Sequence, residues 1–153
     1  MGPLATRALV HASANVGQQE NPIGSNWGFP VSKWLGEVGI HFAAEWCMAF
    51  VYSMFNEAAT DMSITNPLVK TGGCLYAWAN APSNHQTTPE PGDIFIMEFG
   101  NGAGHTGIIE SIEGSVLTTI EGNSNSDGSR LGGEVVRHQR TIPDAIIVGY
   151  LRY

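Results

Sequence analysis

The side-chain periodicity of this chain changes once, near residue 92, and that change limits the possible folds more than any other feature. Before it, apolar residues recur at spacings of three and four. Leu4, Ala8, Leu9 and Ala12 mark an opening helix over 4–17. Val31, Trp34, Leu35 and Val38 mark a short amphipathic helix after a glycine- and proline-containing loop, 20–30. Cys47, Phe50, Val51, Met54, Phe55 and Ala58 mark the clearest helix, over 45–59. Residues 74–79 read as one more short helix, followed by a polar run. Pro89, Pro91 and Gly92 then end helical order. Beyond them, 94–99, 106–112, 116–120, 133–140 and 145–153 are strand candidates separated by Gly, Asn, Ser or Pro. Helices first and strands later predict an α+β fold, with N-terminal helices packed on a largely antiparallel sheet. The 153 residues fit one domain, with no internal repeat or interdomain linker.

Charge narrows the partners. Fourteen acidic and seven basic side chains give a formal −7, and no Lys/Arg cluster offers a stripe for phosphates. Nucleic acid is therefore not an expected partner, and anionic lipid is disfavoured. No segment reaches roughly 18 uninterrupted apolar residues, so stable membrane insertion is not expected. Residues 2–10 lack the apolar stretch of a secretory signal, which predicts synthesis in the cytoplasm. Two cysteines do not make a disulfide framework, and their surroundings must decide their roles.

Cys47 falls at the start of the clearest helix. A thiolate there would feel the positive end of the helix and its unpaired N–H groups, which lower the cost of ionisation. The same amides can hold charge on a tetrahedral oxygen. A lone cysteine between Trp46 and Phe50 is otherwise an ordinary core residue. What changes the reading is His105, in Gly104-His105-Thr106-Gly107, after a glycine-rich turn and at the start of an apolar strand. One ring nitrogen would accept the Cys47 proton and the other would donate to a third group. If 106–112 and 116–120 form a hairpin, Glu121 returns to the end that carries His105 and becomes the orienter. Asn123 is a second polar group there, able to support Glu121 or bind substrate. His11, His41, His85 and His138 read as surface or structural histidines. No close pairing of metal ligands is present, so neither a metal nor a cofactor is expected.

These segments, in order, resemble the CHAP family of cysteine, histidine-dependent amidohydrolases/peptidases, related to NlpC-type and papain-like hydrolases. The resemblance runs through residues 20–26, Glu45-Trp46-Cys47-Met48-Ala49-Phe50-Val51, Pro91-Gly92-Asp93, Gly104-His105-Thr106-Gly107 and Glu121-Gly122-Asn123. It implies a papain-like fold and cleavage of an amide bond in bacterial peptidoglycan, as an amidase or an endopeptidase. It further implies Cys47 as nucleophile, His105 as base, Glu121 as orienter and Asn123 as an additional active-site residue. Members of the family occur among phage lysins, wall-remodelling enzymes and antibacterial effectors. Action at the wall would then follow lysis or specialised secretion, with an immunity protein as a partner if the chain is an effector.

Trp27 and Trp46 are expected to flank an extended substrate, and Asn26 to bind it or brace its loop; the alternative for both tryptophans is core filling. The loop at 124–128 has a weaker claim to substrate selection. Residues 20–28 hold one acidic side chain, so the calcium site of some family members is not expected. Within these 153 residues a separate wall-binding module after the catalytic domain is not expected. Two other readings stand beside this one: a cysteine hydrolase of another peptide or amide, and an inactive papain-like binding domain. Cys74 is expected to be buried and unreactive, since pairing with Cys47 would consume the nucleophile.

Overall fold

A computed structural model describes residues 1–125 and 132–153. The helices are α1 (Pro3–Ala14), α2 (Val31–Glu37), α3 (Cys47–Asp61) and α4 (Cys74–Ala79). The strands are β1 (His85–Gln86), β2 (Ile94–Gly100), β3 (Ala103–Glu113), β4 (Val116–Ser124), β5 (Glu134–Thr141) and β6 (Ile147–Leu151). The expected order of elements is present, with the two-residue β1 added at one edge. No helix among the described residues is long and apolar enough to cross a membrane.

The strands form one sheet in the order β1-β6-β2-β3-β4-β5, and every neighbouring pair is antiparallel. Alternation along a strand sends successive side chains to opposite faces. Ile94, Ile96, Ile108 and Ile120 join the main core with the helices, while Phe95, Met97, Ile109 and Leu117 form a second apolar cluster with Tyr150.

α3 is the centre of the main core. Its residues from Cys47 to Phe55 are all buried, because α1 and α2 cover its outer surface and β3 and β4 lie beneath it. Phe50 and Phe55 are fully buried, each contributing roughly 1.5–3 kcal/mol by leaving water. Gly122 permits the close fit of α3 on β4: a Cβ there would lie 2.7 Å from the Trp46 ring and 2.8 Å from Phe50 Cβ. The chain before α2 is tied to the far edge of the sheet, with Glu20 N–H donating to Gly133 O and Val135 N–H to Gln18 O, both at 2.9 Å. The helix starts and the strand ends that carry the expected site are thereby fixed by one core.

Candidate active site

Cys47 is the first residue of α3, where the sequence places it, and is almost fully buried. Its backbone is set from outside the helix. Asn123 Oδ1 accepts the Trp46 N–H at 2.8 Å, while Asn123 Nδ2 donates to Gly132 O at 2.8 Å and to Asn26 Oδ1 at 3.4 Å. Trp46 is anchored a second time through its indole N–H, which donates to Glu20 Oε1 at 2.9 Å. The other oxygen of that buried carboxylate accepts the Gly24 N–H at 2.7 Å.

The thiol meets a neighbour that sequence spacing does not reveal. Cys47 and Cys74 are both free and buried, and their side chains hydrogen-bond to one another. That contact, then burial, pushes the Cys47 thiol well up, while the same contact holds the Cys74 thiol down, so the two titrate as a pair; the Met48 N–H at the helix start acts to lower Cys47 and is outweighed. The helix end alone therefore does not offset what raises the Cys47 thiol. A recess of about 250 Å³ opens on the pair, lined among others by Glu45, Tyr76 and Gly104. Gly104, the residue before His105, stands so close to Cys74 that a Cβ there would lie 2.8 Å from the Cys74 sulfur.

The His105 side chain is fully buried in β3. The β3–β4 hairpin brings Glu121 back to it, and His105 Nε2 lies 2.7 Å from Glu121 Oε2. Gly107 leaves the room this requires, because a Cβ there would lie 2.7 Å from Glu121 Cγ. The other ring nitrogen, Nδ1, is buried without a hydrogen-bond partner among the described residues. An unpaired buried polar atom costs roughly 1–3 kcal/mol, so Nδ1 is primed for a proton donor. Burial alone would raise the Glu121 carboxyl, but hydrogen bonds from His105 and Arg140 outweigh it and bring it down from 4.5 to about 2. Glu121 is thus a carboxylate at neutral pH, and holds the imidazole with its free nitrogen at Nδ1.

The chain carries a helix-start cysteine, a buried histidine with one ring nitrogen committed to a carboxylate, and an asparagine bracing the backbone just before the cysteine. The CHAP domain profile matches residues 39–123, more than half of the chain and all four of these residues. The chain belongs to the CHAP family. Solved structures agree on the fold. Ly7917 superposes with a TM-score of 0.58 at 19% identity, covering 96% of this chain and 61% of that one. Ly7917 with the hydrolyzing product of MDP gives 0.57 at 17%, covering 96% and 62%. The wild-type endolysin LysIME-EF1 gives 0.57 at 17%, covering 99% and 64%. The chain thus spans less than two thirds of the length of these structures. No curated protein matches it.

Within this CHAP domain the expected substrate contacts fare unevenly. Trp46 is fully buried, its ring 5.5 Å from that of Trp34, so it has no surface to offer a substrate and fills the core instead. Trp27 is half-buried and packs against the same core, and Asn26 braces Asn123; neither lines the Cys47 recess. Residues 126–128 of the proposed selection loop lie outside the described residues. Three partners escaped the sequence reading as site residues: Glu20, Cys74 and Arg140. Each lies far along the chain from what it touches, and no local pattern announces such a contact.

Proposed function

We propose that this CHAP domain hydrolyses an amide bond of bacterial peptidoglycan through an acyl-Cys47 intermediate. The observation that carries the proposal is the buried His105, with Nε2 committed to the Glu121 carboxylate and Nδ1 unpartnered. Family membership supports the reaction class, and the fold likeness to an endolysin and to Ly7917 with the hydrolyzing product of MDP supports the substrate.

In this reading the Cys47 thiol turns from Cys74 toward His105 as substrate enters the recess. Its sulfur attacks the amide carbon while Nδ1 takes the proton, and backbone N–H groups at the start of α3 face the developing oxyanion. The C–N bond then breaks, and the imidazolium returns the proton to the departing amine. Water, deprotonated by the same nitrogen, cleaves the thioester and regenerates the thiol. Glu121 stays ionised throughout and stabilises the imidazolium. Asn123 holds the Trp46 peptide, so its contribution is the placing of the nucleophile.

The experiment is mass spectrometry of products released from purified peptidoglycans by the protein and by Cys47→Ala. Fragments that depend on Cys47 are expected, and their masses separate amidase from endopeptidase cleavage. Undiminished release by Cys47→Ala would overturn the mechanism. Absence of products from several wall chemistries, with a folded and reduced protein, would overturn the substrate and return another amide or a binding role to first place.

A further inference from the structure

Glu121 is gripped from more sides than a histidine orienter requires. Its Oε2 meets His105 Nε2 and Arg140 Nη2, both at 2.7 Å, and its Oε1 meets Thr119 Oγ1 at 2.6 Å and Arg140 Nε at 2.7 Å. The Arg140 fork therefore spans both carboxylate oxygens, the bidentate geometry that fixes a carboxylate's plane as well as its charge. Arg140 is itself only 10% exposed and lies over the Phe95 ring at 5.2 Å. Phe95 is in turn 6.1 Å from the His105 ring. Arg140 comes from β5, outside the segment matched by the family profile.

We infer that Arg140 is a positioning residue that keeps His105 available as a base, by neutralising the buried Glu121 carboxylate and locking its plane against the imidazole. A buried carboxylate must be compensated. If His105 were its sole cationic partner, compensation would favour a proton resident on the pair, and Nδ1 could then not accept another from the thiol. Arg140 supplies a cation that does not titrate in this range, so the carboxylate is offset without requiring a proton held on the ring. The surrounding elements complete this picture. Thr119 on β4 adds a hydroxyl, Phe95 and Met97 on β2 add no charge, and the helix starts of α3 and α4 bring the Cys47 and Cys74 thiols to the neighbouring recess.

The inference rests on His105 being the base, but its test does not depend on finding a substrate. The ring nitrogens of His105 are followed by NMR as pH is changed, in the Cys47→Ala protein so that the thiol does not contribute. Adding Arg140→Gln is expected to move proton uptake by the His105–Glu121 pair up by about one pH unit or more, the effect of losing a contacting opposite charge. Arg140→Lys keeps the charge but loses the fork, so it is expected to titrate near the parent. With Cys47 restored, both variants are expected to lower kcat with little change in KM, the lysine variant less. If the Gln variant unfolds, the lysine variant decides through the same kcat and KM comparison. Titration of the folded Gln variant together with the parent, or a lysine variant with undiminished kcat, would overturn the inference. A protein that releases no product while its ring titration shifts as described would sink the proposed reaction alone.

Discussion

Two histidines of this chain sit among the same kinds of partner, and burial sets them apart. His11 on α1 has Nε2 2.8 Å from Asp61 and Nδ1 3.2 Å from Glu57, with Arg7 3.4 Å from Asp61 and Lys33 2.8 Å from Glu57. His105 likewise has a carboxylate and an arginine. The His11 group is on the surface, its side chains about a quarter to a half exposed, where water screens each pair. Each of its ring nitrogens faces a carboxylate. The His105 group is shielded from water and leaves one nitrogen unpartnered. Composition does not separate them; burial and the state of the second nitrogen do.

The largest test of that contrast is Glu121→Gln. An amide of the same shape cannot stabilise the imidazolium and can impose the wrong tautomer, so turnover is expected to fall roughly 10²- to 10⁴-fold. The substitution should also alter acid stability. Glu121 titrates lower in the folded chain, at about 2 against 4.5. Its stabilisation is therefore complete above the unfolded value and is lost as pH falls toward the folded one. The gap corresponds to about 3 kcal/mol at most, shared with His105 and Arg140. Urea unfolding at steps from pH 6 to pH 2 should show a shallower loss in the variant. An identical acid dependence would mean that the burial and contacts of Glu121 do not carry the charge described.

The next test works on the other half of the site. Cys74→Ala removes the first cause of the raised Cys47 thiol and leaves the Met48 N–H acting on it. Ionisation of Cys47 should move to lower pH, and each unit is worth about tenfold in thiolate well below the midpoint. Alkylation of Cys47, resolved from other sites by peptide mass spectrometry, should accelerate severalfold at neutral pH. Slower alkylation would show that Cys74 assists the nucleophile.

How far the sequence anticipates this site follows the range of each contact. Cys47 at a helix start is legible from the three-four spacing of the residues after it, and Glu121 near His105 from two strands short enough to form a hairpin. Both rest on local periodicity. The Cys47–Cys74 contact joins two helix starts separated by a loop, and Arg140 reaches Glu121 across a strand pair whose connection has no predictable register. Trp46 fails for a different reason. An aromatic residue beside a nucleophile has the same local signature whether it faces solvent or core, and the choice is made by distant Glu20, Trp34 and Gly122.

The smallest expected effect is at His11, and it tests the contrast from its other side. The surface recess beside it, lined by Arg7, His11 and Asp61, is about 450 Å³ against about 250 Å³ at Cys47, so size does not single out the Cys47 recess. Chemistry does. Each His11 nitrogen faces a carboxylate, no cysteine lines the recess among the described residues, and the Asp61 carboxyl is held below its usual range first by His11 and then by Arg7. His11→Gln keeps a polar side chain of similar reach, while Arg7 remains beside Asp61 and Lys33 beside Glu57. Stability is expected to stay within about 0.5 kcal/mol, and turnover to stay at the parent value. Measured beside Glu121→Gln under the same conditions, a comparable loss of turnover in His11→Gln would break the contrast. It would place a working group in the outer recess and show that burial was the wrong criterion for choosing between the two histidines.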